Sequence, residues 1–365
     1  MSTSRSDVIV IGSGISGLTA AALLAKSGLK VKLLEQHYQP GGSCGAFRRE
    51  GVTFDQGTAM LYGFGSEGTN NPHRYIMSEL EEEIEVIRHD MLYCLKYDGV
   101  PIHFHADMDS YFKELEQLFD KEEMSQLKSF YTYIERLYHK VLVSEPLCVA
   151  PPEIPPKKAL QLMLKSPVKQ IKTIGLLKKS AGDIVRPYIK SEKVIKYLNK
   201  LTSTYCYTLV EETPAIMAAT MFMDNHYGGV YYPPGSSQHL PGKLEKAIEK
   251  FSGSMLYNHK VKQILFDGDK ACGVLADTPK GEVKYESDAV IYAGTVWDLY
   301  GKLIPHEVSG PKIREWAKNI IPTYPSIVLH CLVDESVIPG DTQPITMLAD
   351  NPEAIDEKEI TLYIL

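Results

Sequence analysis

Six consecutive residues near the amino terminus form a glycine pattern that can bind a phosphate. They are Gly12, Ser13, Gly14, Ile15, Ser16 and Gly17, a G-x-G-x-x-G motif. The first glycine permits a tight turn, the second lets the backbone approach a pyrophosphate, and the third lets a helix pack closely against a strand. Glu35 follows at the usual distance for an acid that accepts hydrogen bonds from a ribose. The pattern predicts a dinucleotide site, and the acid disfavours NADP because it repels a 2′-phosphate.

A second glycine pair lies shortly after Glu35. Residues 40–43 read Pro-Gly-Gly-Ser, which places Gly41, Gly42 and Ser43 in a loop. The first motif alone leaves both FAD and NAD open as ligands. A second place where the backbone can come close to the ligand suits an extended dinucleotide, so the loop favours FAD.

Two adjacent residues are candidates for chemistry on a substrate. His226 and Tyr227 precede the Gly228-Gly229 turn and are candidates for polarising a substrate or tuning a cofactor, with an ordinary structural role as the alternative. The His103-x-His105 pair alternates along a predicted strand, but the sequence shows no obvious third ligand beside it. We therefore predict no metal site.

The elements that must position the first motif form one βαβ unit. Asp7–Gly12 is a short apolar run of the kind found in central parallel strands. Residues 15–27 are rich in alanine and leucine and predict a helix that Gly28 ends. Lys30–Glu35 predicts the next strand, with Glu35 at its carboxyl end.

The rest of the chain predicts helices between two regions of strands. The predicted strands are 91–97, 101–105, 261–266, 272–276, 282–285 and 289–293, and the chain ends in a further apparent strand at 361–365. The predicted helices are 109–119, 123–143, several pieces within 157–199, 213–223 and 239–251. This order predicts an α/β fold in which a nucleotide-binding domain is interrupted by a mainly helical second domain.

Composition narrows the possible functions. The chain has 365 residues, and its 39 basic and 46 acidic residues give a formal charge of -7, which argues against a nucleic-acid partner. The six cysteines are widely spaced, as is typical of free thiols in a reducing compartment. No run of about 20 apolar residues predicts a membrane-spanning helix.

Several motifs together resemble a known family. They are V-I-V-I-G-S-G-I-S-G-L at the start, E-x-x-x-x-P-G-G-S from Glu35, and G-V-T-F-D-Q-G from Gly51. This combination resembles the flavin amine-oxidase and phytoene-desaturase superfamily. Residues 60–65, 224–233 and 295–303 are similar to segments of carotenoid isomerases, whose relatives include retinol saturases and bacterial carotenoid desaturases.

The resemblance implies a fold and a set of cofactor contacts. It implies a Rossmann-like FAD-binding domain at 1–90 and 226–305, with a helical and mixed-sheet substrate domain at 91–225 and 306–365. The first glycine motif and Glu35 would contact the ADP half of FAD. Gly41, Gly42 and Ser43 would lie near the pyrophosphate and ribityl chain. Val261 would contact adenine through its backbone, and Ala293 and Gly294 would lie at a strand end near the cofactor.

The resemblance also implies an activity. It implies an FAD-dependent oxidoreductase or isomerase acting on a carotenoid-like or retinoid-like polyene, with NAD(P)H as a candidate electron source. The substrate would lie in an apolar tunnel that Ile216, Met217, Met221, Phe222 and Met223 could line, unless they belong to an ordinary core helix. The alternatives are a flavin amine oxidase and a prenyl-lipid-binding escort-type protein of the same fold.

Residues 157–179 form a basic stretch in a chain that is acidic as a whole. The stretch holds seven lysines, no acidic residue, and interleaved leucines and isoleucines. Such a stretch predicts contact with an anionic lipid surface, although a solvated basic face is the alternative. We expect a protein associated with the membrane periphery in the cytoplasm, or in a plastid-like compartment if the source is eukaryotic.

The resemblance further implies a longer chain. Its carboxyl-terminal part would return to the nucleotide domain with a glycine-rich segment near the flavin ring, and no such segment follows Gly340. We therefore expect a truncated member whose ADP half of the site is intact, and which alone binds FAD weakly or folds poorly.

Overall fold

The structure of the chain is a computed structural model. It describes residues 5–58, 60–67, 71–97, 99–139, 155–206, 208–322, 327–340, 342–343, 345–349 and 360–363. The strands are β1 Ser6–Ile11, β2 Val31–Leu34, β3 Ala46–Arg49, β4 Val52–Asp55, β5 Ile87–His89, β6 Met91–Tyr97, β7 Val100–His105, β8 Val230–Tyr232, β9 Ser254–Leu256, β10 Lys260–Asp267, β11 Lys270–Thr278, β12 Gly281–Tyr292, β13 Ile345–Ala349 and β14 Ile360–Tyr363. The helices are α1 Ile15–Lys26, α2 Pro72–Leu80, α3 Met108–Leu115, α4 Lys121–Leu137, α5 Pro156–Lys165, α6 Pro167–Leu176, α7 Ala181–Val185, α8 Glu192–Cys206, α9 Ala215–Tyr227, α10 His239–Lys250, α11 Val296–Asp298 and α12 His306–Asn319.

The described residues form two compact units. The first unit comprises the described residues within 1–61, 73–87 and 232–331, and the second those within 62–72, 88–231 and 332–365. Each unit is therefore assembled from three separate stretches of chain.

The first unit is built on a six-stranded sheet. Its strand order is β10-β11-β12-β1-β2-β9, in which β12, β1, β2 and β9 run parallel while β10, β11 and β12 run antiparallel. Most residues of β1 and β2 are apolar and buried, as in central parallel strands. Ile11 pairs with both Leu34 and Tyr292, so these three strands end at one edge. The residues that follow them, among them Gly12 and Glu35, are therefore brought together.

The helix α1 covers one face of this sheet. Its buried side is made of small and branched apolar residues, Leu18, Ala21, Ala22 and Ala25. These small side chains allow α1 to pack against α10, whose buried side includes Leu244 and Ile248. The helix ends before Gly28, which has a φ of 89°. This positive φ favours glycine and confirms the predicted helix end.

The second unit combines a four-stranded sheet with helices. The sheet order is β14-β13-β6-β7, and β6 and β7, at the strands predicted for 91–97 and 101–105, pair as an antiparallel hairpin. Helices α3, α4 and α9 pack around a core of aromatic side chains that includes Tyr111, Phe130, Tyr131 and Phe222. The predicted late strand around residue 361 is β14, although residues 364–365 lie outside the described part of the chain.

Four segments lie in a different unit from the one the sequence predicted: residues 62–72, 88–90, 226–231 and 306–331. Residues 306–331 belong to the first unit, because α12 packs beside the turn at 299–303 and the Trp297 Nε1–H donates to the Ile320 carbonyl at 3.2 Å. Residues 62–72 belong to the second unit, where Gly65 lies against the backbone of Gly228. Both placements depend on contacts between distant residues that no local pattern reports.

Helix lengths bear on membrane contact. Within the described residues, no helix combines the length and the apolar character needed to cross a bilayer.

The helix predicted at 123–143 ends at Leu137, and residues 140–143 lie outside the described chain.

Candidate functional site

The first glycine motif forms a tight connection between β1 and α1. Gly12 has a φ of 96°, and its N–H donates to the Leu34 carbonyl at 2.9 Å. A Cβ atom on Gly17 would lie 2.0 Å from the Gly12 carbonyl oxygen, so the helix can approach the strand only with glycine here. A Cβ atom on Gly14 would meet no heavy atom within 4 Å. The open space beside Gly14 adjoins the start of α1, where backbone N–H groups lack helical partners and favour an anion.

The Glu35 carboxylate is held by three donors at the end of β2. Its Oε2 accepts from the Ser13 N–H at 2.7 Å and from the Ser13 hydroxyl at 2.6 Å, while Oε1 accepts from the His37 N–H at 2.8 Å. Both Glu35 and Ser13 are buried. A carboxylate has about four acceptor positions, so one remains for a ribose hydroxyl. The Ser13 side chain therefore orients the acid that the sequence predicts as a ribose ligand.

Replacing this acid with its amide tests that arrangement. The side-chain amide of a Glu35→Gln protein would offer one acceptor oxygen, and its amino group would face at least one N–H or O–H donor. We expect the free energy of unfolding of the ligand-free protein to fall by about 2 kcal/mol, measured by urea denaturation. The exposed Glu83→Gln change is the control and should alter stability by less than about 0.5 kcal/mol. Equal stability of the two variants would contradict the described geometry.

The second glycine loop lies directly beside the first. The Gly41 N–H donates to the Ser13 carbonyl at 2.8 Å, and residues 42–44 form a short 3-10 turn. Gly41 and Gly42 have φ values of 128° and 56°, which favour glycine. A Cβ atom on Gly42 would lie 3.2 Å from the Gly14 Cα. The structure thus brings the two predicted glycine motifs together.

An open cleft runs past these residues. Its volume is about 410 Å³, and its lining includes Glu35, Tyr38, Gly42, Ser43 and Gln56. The cleft joins a carboxylate with a spare acceptor position to a glycine loop beside the start of α1. These hydrogen-bonding groups and the shape of the cleft fit the adenosine and pyrophosphate parts of a dinucleotide.

A buried acid that sequence reasoning missed supports the glycine loop. Asp55, at the end of β4, accepts hydrogen bonds from the hydroxyls of Tyr232 and Ser236 and from the Ser237 N–H at 3.2 Å. The Ser237 hydroxyl in turn donates to the Cys44 carbonyl at 3.3 Å. The run G-V-T-F-D-Q-G contained this residue, but its partners lie about 180 residues away and gave no local signal.

The other predicted cofactor residues lie in the same unit. Ala293 follows β12, its N–H donates to the Ile11 carbonyl at 2.9 Å, and its Cβ would be 3.1 Å from a Cβ on Gly17. Gly294 is the next residue and is exposed. Val261 lies in β10, two residues beyond His259, whose N–H donates to the Glu35 carbonyl at 2.8 Å. Contact of these three residues with a cofactor stays a prediction.

The two weak catalytic candidates lie in the second unit. The His226 ring is buried against Phe104 and Tyr111, and its Nδ1–H donates to the Ala106 carbonyl at 3.0 Å. Burial lowers the pKa of His226, which favours the neutral form of the ring. The Tyr227 hydroxyl donates to Glu135, and burial followed by this acceptor raises the Tyr227 pKa to about 12. Both residues have structural partners, and their catalytic role stays a prediction.

The histidine pair on β7 has an acidic neighbour that the sequence did not reveal. The Glu114 carboxylate lies 3.2 Å from the His103 Nδ1 and 3.7 Å from the His105 Nε2. In the part of the chain that the structure describes, no group of three or more histidine, cysteine or acidic residues is arranged to hold a metal ion.

The fold and the site together define the class of protein. A parallel βαβ unit, a glycine turn, an acid at the end of the second strand and a second glycine loop define a dinucleotide-binding oxidoreductase fold. The family described as flavin containing amine oxidoreductase matches residues 15–359, and the chain belongs to this family. Membership confirms the predicted fold and implies a flavin cofactor.

Named relatives agree with this assignment. The chain is 29% identical over 347 residues to the chloroplastic prolycopene isomerase of Daucus carota, covering 92% of this chain and 54% of that protein. It is 26% identical over 313 residues to the all-trans-retinol 13,14-reductase of Rattus norvegicus, covering 83% and 49%. An oxidoreductase structure from Methanosarcina mazei has the same fold, with a TM-score of 0.59 at 17% identity over 86% of this chain and 65% of that one. The chain spans about half the length of the curated relatives it matches.

Proposed function

We propose that this protein binds FAD in the Glu35 cleft and acts as an oxidoreductase or isomerase on a carotenoid-like or retinoid-like polyene. The observation that carries the proposal is the Glu35 carboxylate, oriented by Ser13 and His37 beside two glycine motifs. Named relatives that act on prolycopene and on retinol support the substrate class.

The residues of this chain would bind and orient the cofactor. Glu35 would accept a hydrogen bond from the adenosine ribose, and the start of α1 would bind the pyrophosphate. Gly42 has no side chain and Ser43 has a small one, so both would leave the path toward the ribityl chain open. When bound, the flavin supplies hydride transfer, which amino-acid side chains do not provide.

A polyene requires an apolar binding surface. Helix α9 carries the five apolar residues that the sequence predicted either to line a substrate tunnel or to belong to a core helix. Phe222 and Met223 are fully buried, and the Phe222 ring packs near Phe130 and Tyr131, which favours the core role for these two. Met217 is 44% exposed. We propose Met217, with the half-buried Ile216 and Met221, as the part of α9 that would contact substrate.

The two alternatives make different demands on the chain. A flavin amine oxidase would share the cofactor cleft but act on an amine, whereas an escort-type protein would hold a prenyl lipid without flavin. The first glycine motif, Glu35 and the second glycine loop argue against a flavin-free role. Similarity to prolycopene isomerases and retinol reductases favours a polyene over an amine.

Two measurements test the proposal in sequence. Purified protein mixed with FAD should retain flavin absorbance near ~450 nm after gel filtration. The oxidised and the reduced complexes should then each be incubated anaerobically with a cis-carotene, and the products separated by chromatography and analysed by mass. Isomerisation without a mass change, or a gain or loss of two hydrogens, would support polyene chemistry. Absence of retained flavin, or oxidation of an amine with no polyene turnover, would overturn it.

We further propose NAD(P)H as the electron source when the reaction needs a reduced flavin. Saturation adds two hydrogens to the polyene, and a redox-neutral isomerase of this kind still starts from the reduced cofactor. Anaerobic NADH or NADPH should bleach the ~450 nm band of the FAD complex. An unchanged spectrum with both nucleotides would require a different donor.

We also propose that α5 and α6 lie on an anionic lipid surface, from which a lipophilic substrate could enter. Five large apolar side chains within residues 157–179 are exposed, while Leu176 is buried: Leu160, Leu164, Ile171, Ile174 and Leu177 are 61%, 75%, 63%, 51% and 52% exposed. The lysines of the same stretch would each contribute on the order of 1 kcal/mol at an anionic leaflet. Apolar insertion and charge attraction would thus act together.

Vesicle binding tests this surface. A Leu164→Ser/Ile171→Ser protein should bind vesicles containing phosphatidylserine at least about tenfold more weakly than the parent protein, because two apolar contacts are lost. Co-sedimentation at low salt measures the affinity, and raising the salt should weaken the binding of the parent protein.

The control for this experiment is Tyr75→Ser. Tyr75 is 64% exposed on α2, outside the basic stretch, and its replacement should leave vesicle binding unchanged. If the parent protein did not bind anionic vesicles at low salt, the basic stretch would be a solvated surface instead.

A further inference from the structure

One side chain spans both ends of the second glycine loop. The Gln238 Nε2–H donates to the Pro40 carbonyl at 3.0 Å, and the Gln238 Oε1 accepts from the Ala46 N–H at 3.0 Å. Pro40 and Ala46 flank the loop that contains Gly41 and Gly42. A carbonyl can only accept and an N–H can only donate, so the two partners fix the orientation of the amide.

Gln238 is itself held in place from the other side. Its own N–H donates to the Ser236 hydroxyl at 3.1 Å, and Ser236 and Ser237 both donate to the buried Asp55. These contacts fix the residue at the start of α10. One planar amide with an anchored backbone therefore joins Pro40 to Ala46, beside the Gln39 side-chain amide, which donates to the Ala46 carbonyl.

We infer that Gln238 is a positioning residue for the dinucleotide cleft. It acts on the cleft through the backbone of the loop that it spans, and it thereby sets the gap between Gly42 and Gly14. The inference rests on the proposed function, since this gap is where the pyrophosphate of FAD would lie. Only a side chain with one donor and one acceptor at this length satisfies both ends of the loop.

The isosteric variant Gln238→Glu tests this requirement. The carboxylate keeps an acceptor for the Ala46 N–H but places a second oxygen against the Pro40 carbonyl. We expect its affinity for FAD at pH 8 to be about tenfold lower than that of the parent protein, because one hydrogen bond becomes a repulsion. A protonated carboxyl group again has one donor and one acceptor. Affinity relative to the parent protein should therefore recover as the pH falls toward about 5, since partial burial against the Pro40 carbonyl oxygen raises the pKa of a carboxyl group from about 4.3.

Gln238→Ala provides the matched control. It removes both hydrogen bonds, so its affinity for FAD should be low at both pH values and should not recover on acidification. Fluorescence titration with FAD measures the affinity of each protein, and urea denaturation of each ligand-free protein measures stability. The recovery with protonation is a signature that a general loss of stability would not produce.

The outcomes separate this inference from the proposal on which it rests. If the parent protein binds FAD and Gln238→Glu binds it equally tightly at pH 8, or weakly at every pH, Gln238 does not position the loop. If the parent protein itself fails to bind FAD, the proposed cofactor falls, and the inference falls with it.

Discussion

Replacing Gly17 with alanine is expected to lower the free energy of unfolding by about 4 kcal/mol, or to prevent folding of the first unit. The added Cβ atom would lie 2.0 Å from the Gly12 carbonyl oxygen and 3.1 Å from the Ala293 Cβ. The clash is with backbone at the junction of β1 and α1, so no side-chain rotation can relieve it. To fit the methyl group, α1 must move away from the sheet and lose contacts of Leu18 and Ala21.

The same substitution at Gly14 is the matched control. Gly14 belongs to the same turn, has a φ of -64°, and has open space around its Cβ position, so alanine should fit without strain. Urea denaturation of both ligand-free proteins gives the comparison. Similar stability of the Gly17→Ala and Gly14→Ala proteins would show that the helix does not pack on the strand as closely as described.

The βαβ unit could be predicted from the sequence because its determinants are local. The apolar run of β1, the glycine turn and the alanine-rich helix are consecutive, and each has a strong intrinsic pattern. Because neighbouring parallel strands end at the same edge of a sheet, the two predicted strands are enough to place Glu35 next to Gly12. The predicted helix 15–27 and the observed α1 differ by one residue.

The support of the site could not be predicted in the same way. Asp55 and Gln238 act on the glycine loop through contacts that join residues about 180 to 200 apart in the chain. Neither residue has an unusual local pattern, because a buried acid at a strand end and a glutamine before a helix are common. Only the folded chain shows that both converge on the backbone of residues 40–46.

The catalytic candidates illustrate a different difficulty. His226 and Tyr227 were chosen for their chemistry and their position before a glycine pair, and chemistry of this kind does not reveal burial. In the structure the His226 ring packs within an aromatic core, and Tyr227 hydrogen-bonds to Glu135. A residue type that can catalyse a reaction is also one that can satisfy a buried carbonyl, and sequence alone does not separate the two roles.

Replacing Gly14 with valine should have the largest effect on cofactor binding with little effect on folding. The extended backbone at Gly14, with φ of -64° and ψ of 170°, is accessible to valine, and no heavy atom lies within 4 Å of the Cβ position. We therefore expect the free energy of unfolding to change by less than about 1 kcal/mol. The branched side chain would occupy the space between α1 and Gly42 through which the proposed pyrophosphate must approach.

Affinity for FAD and for ADP should fall at least about 100-fold in the Gly14→Val protein, which corresponds to about 2.7 kcal/mol. ADP is included because it contains only the part of FAD that the cleft is proposed to bind. The control is Thr53→Val, which places an identical side chain on the exposed side of β4 and should leave both affinities unchanged. Unchanged affinity of a normally folded Gly14→Val protein would place the dinucleotide elsewhere. Loss of affinity without loss of stability in the Gly14→Val protein, set beside the loss of stability expected for the ligand-free Gly17→Ala protein, would show that one glycine leaves room for the ligand and the other leaves room for the helix.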